Sequence, residues 1–350
     1  MNPRDDIALI EGYHSPQVDV KVRLNTNESP YPPPPAWLEA YVDELRTLDF
    51  HRYPDRAARE LRAAIGELHG FGPEHVFVAN GSNEVLQSLC LAYGGAGRSV
   101  AVFEPTYALH SHIARITGTG VAVGERDERF ALDVEEARRV LREASPAITF
   151  LCSPNNPTGM LEPDEVVEGV LAAAPGLVVV DEAYGQFAPR SHVAAIADDA
   201  PLVVTRTFSK TWSLAALRLG YCIAPVDVVR ALEQVALPYH LDAAKQLAGR
   251  LALRFVAEME ARVAALVEER GRLMAGLAEL PVDVWPSAAN YVLFRPRPVD
   301  GHVAWQGLVD RSVLVRNCAS WPRLGGCLRV TVGTPDENDA FLKALDEVLS

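Results

Sequence analysis

Lys210 stands in the stretch Arg206-Thr207-Phe208-Ser209-Lys210-Thr211-Trp212, and Arg218 follows just ahead of Leu219-Gly220-Tyr221. Apolar runs, Leu202 to Thr205 and Tyr221 to Ala224, lie on either side. A lysine here is either a solvated surface charge or an amine held beside other cations. In the second case its pKa falls and the amine becomes a nucleophile. The hydroxyls of Thr207 and Ser209 with Arg218 would then suit a phosphate. Asp181-Glu182-Ala183-Tyr184 follows Leu177-Val178-Val179-Val180. A carboxylate ending such a run must be paired or solvated, because burying it alone is costly. A heteroaromatic N–H⁺ would pair with Asp181; a helix N-cap is the plainer alternative.

Three more stations follow strand-like runs. Ser153-Pro154-Asn155-Asn156-Pro157-Thr158-Gly159 is a polar loop whose prolines would hold Asn156 at a set angle. Glu104-Pro105-Thr106-Tyr107 offers Tyr107 as a stacker for a flat ring, or as a structural tyrosine. Asn80-Gly81-Ser82-Asn83-Glu84 opens a helix at Ser82 or Asn83, which is an anion site or an ordinary cap. Each station is weak alone. In chain order they describe one pocket with a ring stacker, a polar clamp, a carboxylate, a tyrosine, an amine and a phosphate-binding arginine. A pyridine ring bearing a phosphate and an aldehyde satisfies all of them.

The elements that must position these residues alternate. Strands are expected at Val76–Ala79, Val100–Phe103, Val121–Val123, Ile148–Leu151, Leu177–Val180, Leu202–Thr205 and Tyr221–Ala224. Helices are expected at Trp37–Leu48, Ala57–Leu68, Asn83–Tyr93, Val134–Ala144 and Glu165–Ala173. Continuous apolar runs suit strands buried on both faces, so the fold class is α/β, a mostly parallel central sheet flanked by helices. Ligands of such sheets bind beyond the carboxyl ends of the strands, which is where the stations lie. After Pro238 the pattern changes to one long helical region, Ala243–Leu280, broken once. Strands Val282–Val284, Tyr291–Phe294, Val313–Val315 and Leu328–Val332 follow, with helices at His302–Val309 and from Pro335. The expected division is an N-terminal arm (1–35), a large domain (36–240) and a smaller α+β C-terminal domain (241–350). Prolines 30 and 32 to 35 exclude helix at the end of the arm. Val18, Val20, Val22 and Leu24 alternate there as a half-buried segment would.

The 350 residues are 49% hydrophobic and 23% charged, an ordinary globular composition. The formal charge of -13 repels nucleic acid phosphates, and no basic run offers a nucleic acid or membrane patch. The five cysteines form no C-x-x-C pair and read as buried thiols of a reducing compartment. No apolar run reaches bilayer length. Met1 to Ile10 lacks a signal-peptide core, so the expected location is cytoplasmic. No metal is implied.

The chain resembles the fold-type I pyridoxal phosphate enzymes, class I/II aminotransferases. Within them it is most similar to the histidinol-phosphate aminotransferase family, actinobacterial type. The resemblance rests on Val22-Arg23-Leu24-Asn25-Thr26-Asn27-Glu28-Ser29-Pro30, His51-Arg52-Tyr53-Pro54-Asp55, Asn80 to Glu84, Ser153 to Gly159 and Asp181 to Tyr184. Ser209-Lys210, Leu237-Pro238-Tyr239-His240 and Leu328 to Thr334 complete it. It implies pyridoxal phosphate carried by Lys210 as a Schiff base, with Lys210 also moving protons. Asp181 would pair with the ring nitrogen, Asn156 and Tyr184 with the ring hydroxyl, and Tyr107 would stack on the ring. Ser82, Asn83, Thr207, Ser209 and Arg218 would bind the phosphate, joined by Tyr53 from the neighbouring subunit of a homodimer with shared active sites. Arg329, Arg316, Asn290 and Tyr13 would bind the substrate. The implied reaction gives imidazole acetol phosphate and glutamate from histidinol phosphate and 2-oxoglutarate, in histidine biosynthesis. An aromatic amino acid aminotransferase and a threonine-phosphate decarboxylase-like enzyme are the alternatives on the same scaffold.

The sequence departs from the family pattern twice. Arg316-Asn317-Cys318-Ala319-Ser320-Trp321-Pro322-Arg323 replaces an aspartate and a short glycine-containing loop, so Trp321 and Arg323 could reshape specificity. Ala216 stands where a glycine is usual before Leu217-Arg218.

Overall fold

The structure, a computed structural model, describes residues 18–350. Its strands are β1 (Val22–Leu24), β2 (Val76–Ala79), β3 (Ser99–Glu104), β4 (Gly120–Glu125), β5 (Ile148–Cys152), β6 (Leu177–Asp181), β7 (Leu202–Thr207) and β8 (Gly220–Ile223). Beyond them lie β9 (Val282–Val284), β10 (Tyr291–Pro296), β11 (Val313–Asn317) and β12 (Leu328–Thr331). The helices are α1 (Pro35–Leu45), α2 (Arg59–His69), α3 (Ser82–Tyr93), α4 (Ala108–Ile116), α5 (Val134–Ala144) and α6 (Asp164–Ala173). They continue with α7 (Val226–Val235), α8 (Ala243–Ala252), α9 (Val256–Ala278), α10 (Gly301–Asp310) and α11 (Pro335–Leu349).

Seven strands form one sheet in the order β2-β8-β7-β6-β5-β3-β4. Only β8 runs against its neighbours β2 and β7. Alternate side chains feed opposite faces, as the pleat requires. Val178 and Val180 enter a core with α1, α2, α5, α6 and α8. Leu177 and Val179 enter a second core with α3, α4 and α7. Burial on both faces is why these strands are continuous apolar runs.

A second sheet, β1-β11-β12-β10-β9, has its own core with α9, α10 and α11. The arm supplies its edge strand: β1 pairs in parallel with β11, Leu24 opposite Val315. Helix α8 packs on α1 and α2, and Leu247 and Leu251 belong to the first core. The 23-residue α9 passes between cores, with Met259 in the first and Leu266, Leu273 and Leu277 in the second. We propose α9 as the seam between the domains, in place of one at residue 240.

One local expectation fails. Pro35 begins α1 instead of ending the arm, because proline suits the first helical position, where the backbone N–H has no partner to lose.

Candidate active site

β3, β5, β6 and β7 end side by side at Glu104, Cys152, Asp181 and Thr207. The loops beyond them, with Asn25–Asn27 of the arm and Arg329 of β12, enclose a cavity of about 180 Å³. Ser82, Asn83, Tyr107, Asn156, Asp181, Tyr184, Thr207, Ser209, Lys210, Arg218 and Arg329, all expected from sequence, line it. A larger concavity, about 240 Å³, lies among Arg62, Phe77, Leu237 and His240. There His240 Nε2 is bonded to the Val78 carbonyl at 3.0 Å, and Arg62 donates to Glu233 Oε1 at 2.5 Å.

At one end of the cavity α3 presents its first turn. Gly81 has φ +82°, and a Cβ on it would lie 2.8 Å from the Arg218 guanidinium. A Cβ on Gly220 would fall 2.2 Å from the Ser82 nitrogen. The two glycines thus let β8 and Arg218 close on the open N–H groups of the helix, which favour an anion. Arg218 donates to Ser209 Oγ at 3.2 Å, and the Ser209 N–H donates to Thr207 Oγ1 at 3.1 Å. Lys245 Nζ donates to Asn80 Oδ1 at 2.7 Å, tying the helix start to α8. Ala216 lies in the 3-10 turn Ala215–Leu217, outside the left-handed region, so this turn does not need the usual glycine.

Asp181 is buried at the floor. Thr205 Oγ1 donates to its Oδ1 at 3.0 Å, and His110 Nε2 lies 3.0 Å from its Oδ2. A carboxylate can only accept, so Nε2 carries the hydrogen. His110 stacks on Phe150 at 4.7 Å and meets Tyr107 edge-on at 5.4 Å. The Tyr107 hydroxyl donates to Asn83 Oδ1 at 3.2 Å, joining the floor to the anion end.

Lys210 Nζ donates to the Thr26 carbonyl at 3.0 Å. Burial, with Arg329 and Arg218 nearby, lowers its pKa from 10.5 to about 7, against a smaller opposing effect of Glu28. Near neutrality a substantial fraction is therefore free amine.

The opposite wall comes from the second sheet and the arm. Arg329 is buried; it donates to Asn156 Oδ1 at 2.5 Å and to the Asn25 carbonyl at 3.0 Å. Its guanidinium lies 5.0 Å from the Tyr291 ring centre. Arg316 is its cross-strand partner and sits 5.2 Å from the Trp321 ring centre. Asn290 is buried and donates to the Asn27 carbonyl at 3.2 Å. The segment after Arg316 folds back on the first domain. The Trp321 indole N–H donates to the Thr106 carbonyl at 3.0 Å, and Arg323 to the Asp127 carbonyl at 2.8 Å.

Tyr53 stands apart. It is 81% exposed, stacks on Tyr239 at 4.5 Å and does not line the cavity. Tyr13 lies outside the described residues. Sequence reasoning assigned no role to His110, Thr205, Asn25, Thr26 or Asn27. His110 lies one helical turn after Tyr107, a spacing that puts both at one strand end. The arm residues carried a signal in the quoted motif from Val22 to Pro30.

The family profile described as aminotransferase class I and II matches residues 19–345. A histidinol-phosphate aminotransferase of Streptomyces avermitilis is 44% identical, over 99% of this chain and 96% of its own. One from Corynebacterium diphtheriae is 42% identical, over 99% and 96%. Among solved structures, a putative histidinol-phosphate aminotransferase from Erwinia carotovora atroseptica superposes with a TM-score of 0.87. It is 25% identical, over 96% of this chain and 98% of that one.

Proposed function

The chain belongs to the class I and II aminotransferases, and on that footing we propose that it moves the amino group of histidinol phosphate to 2-oxoglutarate. Imidazole acetol phosphate and glutamate are the products, and the step belongs to histidine biosynthesis. The family depends on pyridoxal phosphate. The observation that carries the reading is the meeting of Lys210, Asp181 and Arg329 in one cavity with the first turn of α3.

The residues fit that cofactor. The cradle at Gly81 and Gly220, which a Cβ would fill, leaves room for a phosphate against Ser82, Asn83, Thr207, Ser209 and Arg218. A buried carboxylate held by His110 and Thr205 suits a ring N–H⁺, since a nearby anion favours the charged form. Tyr107 supplies an aromatic face, and Asn156 and Tyr184 supply polar groups for the ring oxygen. When bound, pyridoxal phosphate supplies an electron sink that weakens the bond between substrate Cα and its hydrogen.

The protein's own groups do the rest. Lys210 Nζ accepts the Cα proton and later returns one, a task suited to an amine with a pKa of about 7. Asp181 keeps the proton on the ring nitrogen. Arg329, with Arg316 beside it and Asn290 nearby, grips the phosphate of the donor and the carboxylate of the 2-oxo acid. Tyr13 is assigned to substrate binding from the family resemblance alone.

We also propose a cytoplasmic homodimer in which Tyr53 reaches the partner's cofactor phosphate. The exposed cluster of Phe50, Tyr53, Leu237 and Tyr239 supports a covered face there. No described helix is long and apolar enough to cross a membrane. Lys210→Ala is the test of the catalytic assignment. It should still take up the cofactor, acquire no mass on borohydride reduction and lose turnover; retained turnover would refute the role.

A further inference from the structure

The Tyr184 hydroxyl can accept a hydrogen bond and has one proton to give, and Asn27 decides how these are used. Asn27 sits just beyond β1 with φ 55°, a left-handed conformation that asparagine tolerates better than most residues. Its backbone N–H donates to Thr331 Oγ1 at 3.0 Å. Thr331 Oγ1 lies 3.1 Å from Asn27 Oδ1, and Asn27 Nδ2 lies 2.9 Å from the Tyr184 oxygen. All three residues are buried.

The donors and acceptors have a single consistent arrangement. The Thr331 hydroxyl already accepts the Asn27 N–H, and the acceptor in reach for its own proton is Asn27 Oδ1. Turning the amide over would set Nδ2 against Thr331 and leave that proton buried without a partner, which costs free energy. So Oδ1 faces Thr331 and Nδ2 faces Tyr184. An amide nitrogen only donates, so the Tyr184 oxygen accepts, and its proton is turned away from Asn27. Tyr184 lines the cavity. Burial raises its pKa to about 12, so it remains a phenol at neutral pH.

We propose that Asn27 is a positioning residue that aims the Tyr184 hydroxyl proton into the cavity, making Tyr184 a donor to the anionic ring oxygen of the bound cofactor. The inference rests on the reading that this cavity takes pyridoxal phosphate. A donor on the ring oxygen draws off negative charge, so the chromophore gives up its proton at lower pH. Losing that donor moves the midpoint up.

The experiment is a pH titration of the visible absorbance of the holoenzyme. Asn27→Asp places an acceptor where the donor was and should raise the midpoint by about one pH unit. Thr331→Val, which frees the amide to turn, should raise it by less. Tyr184→Phe should raise it as well, and in that background neither change should shift it further. Equal shifts with and without Tyr184 would overturn the proposal, as would an unmoved midpoint in Asn27→Asp. If Asn27→Asp holds no cofactor, Thr331→Val alone decides by the same comparison. A wild-type protein that takes up no pyridoxal phosphate would refute the underlying reading instead; a normal wild-type band with unshifted variants refutes only this inference.

Discussion

His110 Nε2 lies 3.0 Å from Asp181 Oδ2, with both side chains buried. One partner comes from α4 and the other from the end of β6. The contact holds the carboxylate in place, and Thr205 Oγ1 donates to its other oxygen. His110→Phe keeps a ring against Phe150 and removes the donor. A hydrogen bond to a charged group is worth about 1.5–3 kcal/mol. The variant should therefore lose roughly 10- to 100-fold in kcat/KM and bind pyridoxal phosphate more weakly, as steady-state kinetics and cofactor titration would record.

The lowered pKa of Lys210 has a kinetic consequence in the cofactor-free protein. Burial and the two arginines favour the neutral amine, so the reactive fraction rises as pH rises through about 7. The rate of covalent cofactor attachment should climb with pH, reach half its maximum near 7 and level off above. An ordinary lysine would keep gaining toward 10.5. Stopped-flow absorbance across this range checks the point.

Trp321 ties the segment after β11 to the loop after β3, with its ring 5.2 Å from Arg316 and its N–H on the Thr106 carbonyl at 3.0 Å. If it holds Arg316 toward a substrate anion, Trp321→Ala should raise KM for histidinol phosphate by roughly tenfold with a smaller change in kcat. Trp321→Phe keeps a ring over Arg316 and should fall between. A loss in kcat alone would assign the residue to folding.

The cavity residues that were legible in the sequence follow continuous apolar strands. Asp181 comes directly after such a run, Asn156 and Lys210 each lie five residues beyond one, and a parallel sheet brings those ends together. His110 escaped because α4 is a nine-residue helix whose pattern marks nothing, and its meaning lies in a pairing with Asp181 far along the chain. Asn27 escaped for a related reason. Its neighbours Thr331 and Tyr184 are brought to it only when β1 joins the second sheet. The boundary near residue 240 reflected a change of pattern, whereas the cores change within α9.

The amine that the site accepts is the most direct test of the whole account. Purified holoenzyme, mixed in single turnover with histidinol phosphate, phenylalanine or threonine phosphate, reports each reaction by loss of the bound-cofactor absorbance. Histidinol phosphate should react fastest, release no carbon dioxide, and yield glutamate when 2-oxoglutarate is added. Faster reaction with phenylalanine, or carbon dioxide from threonine phosphate, would contradict the assignment.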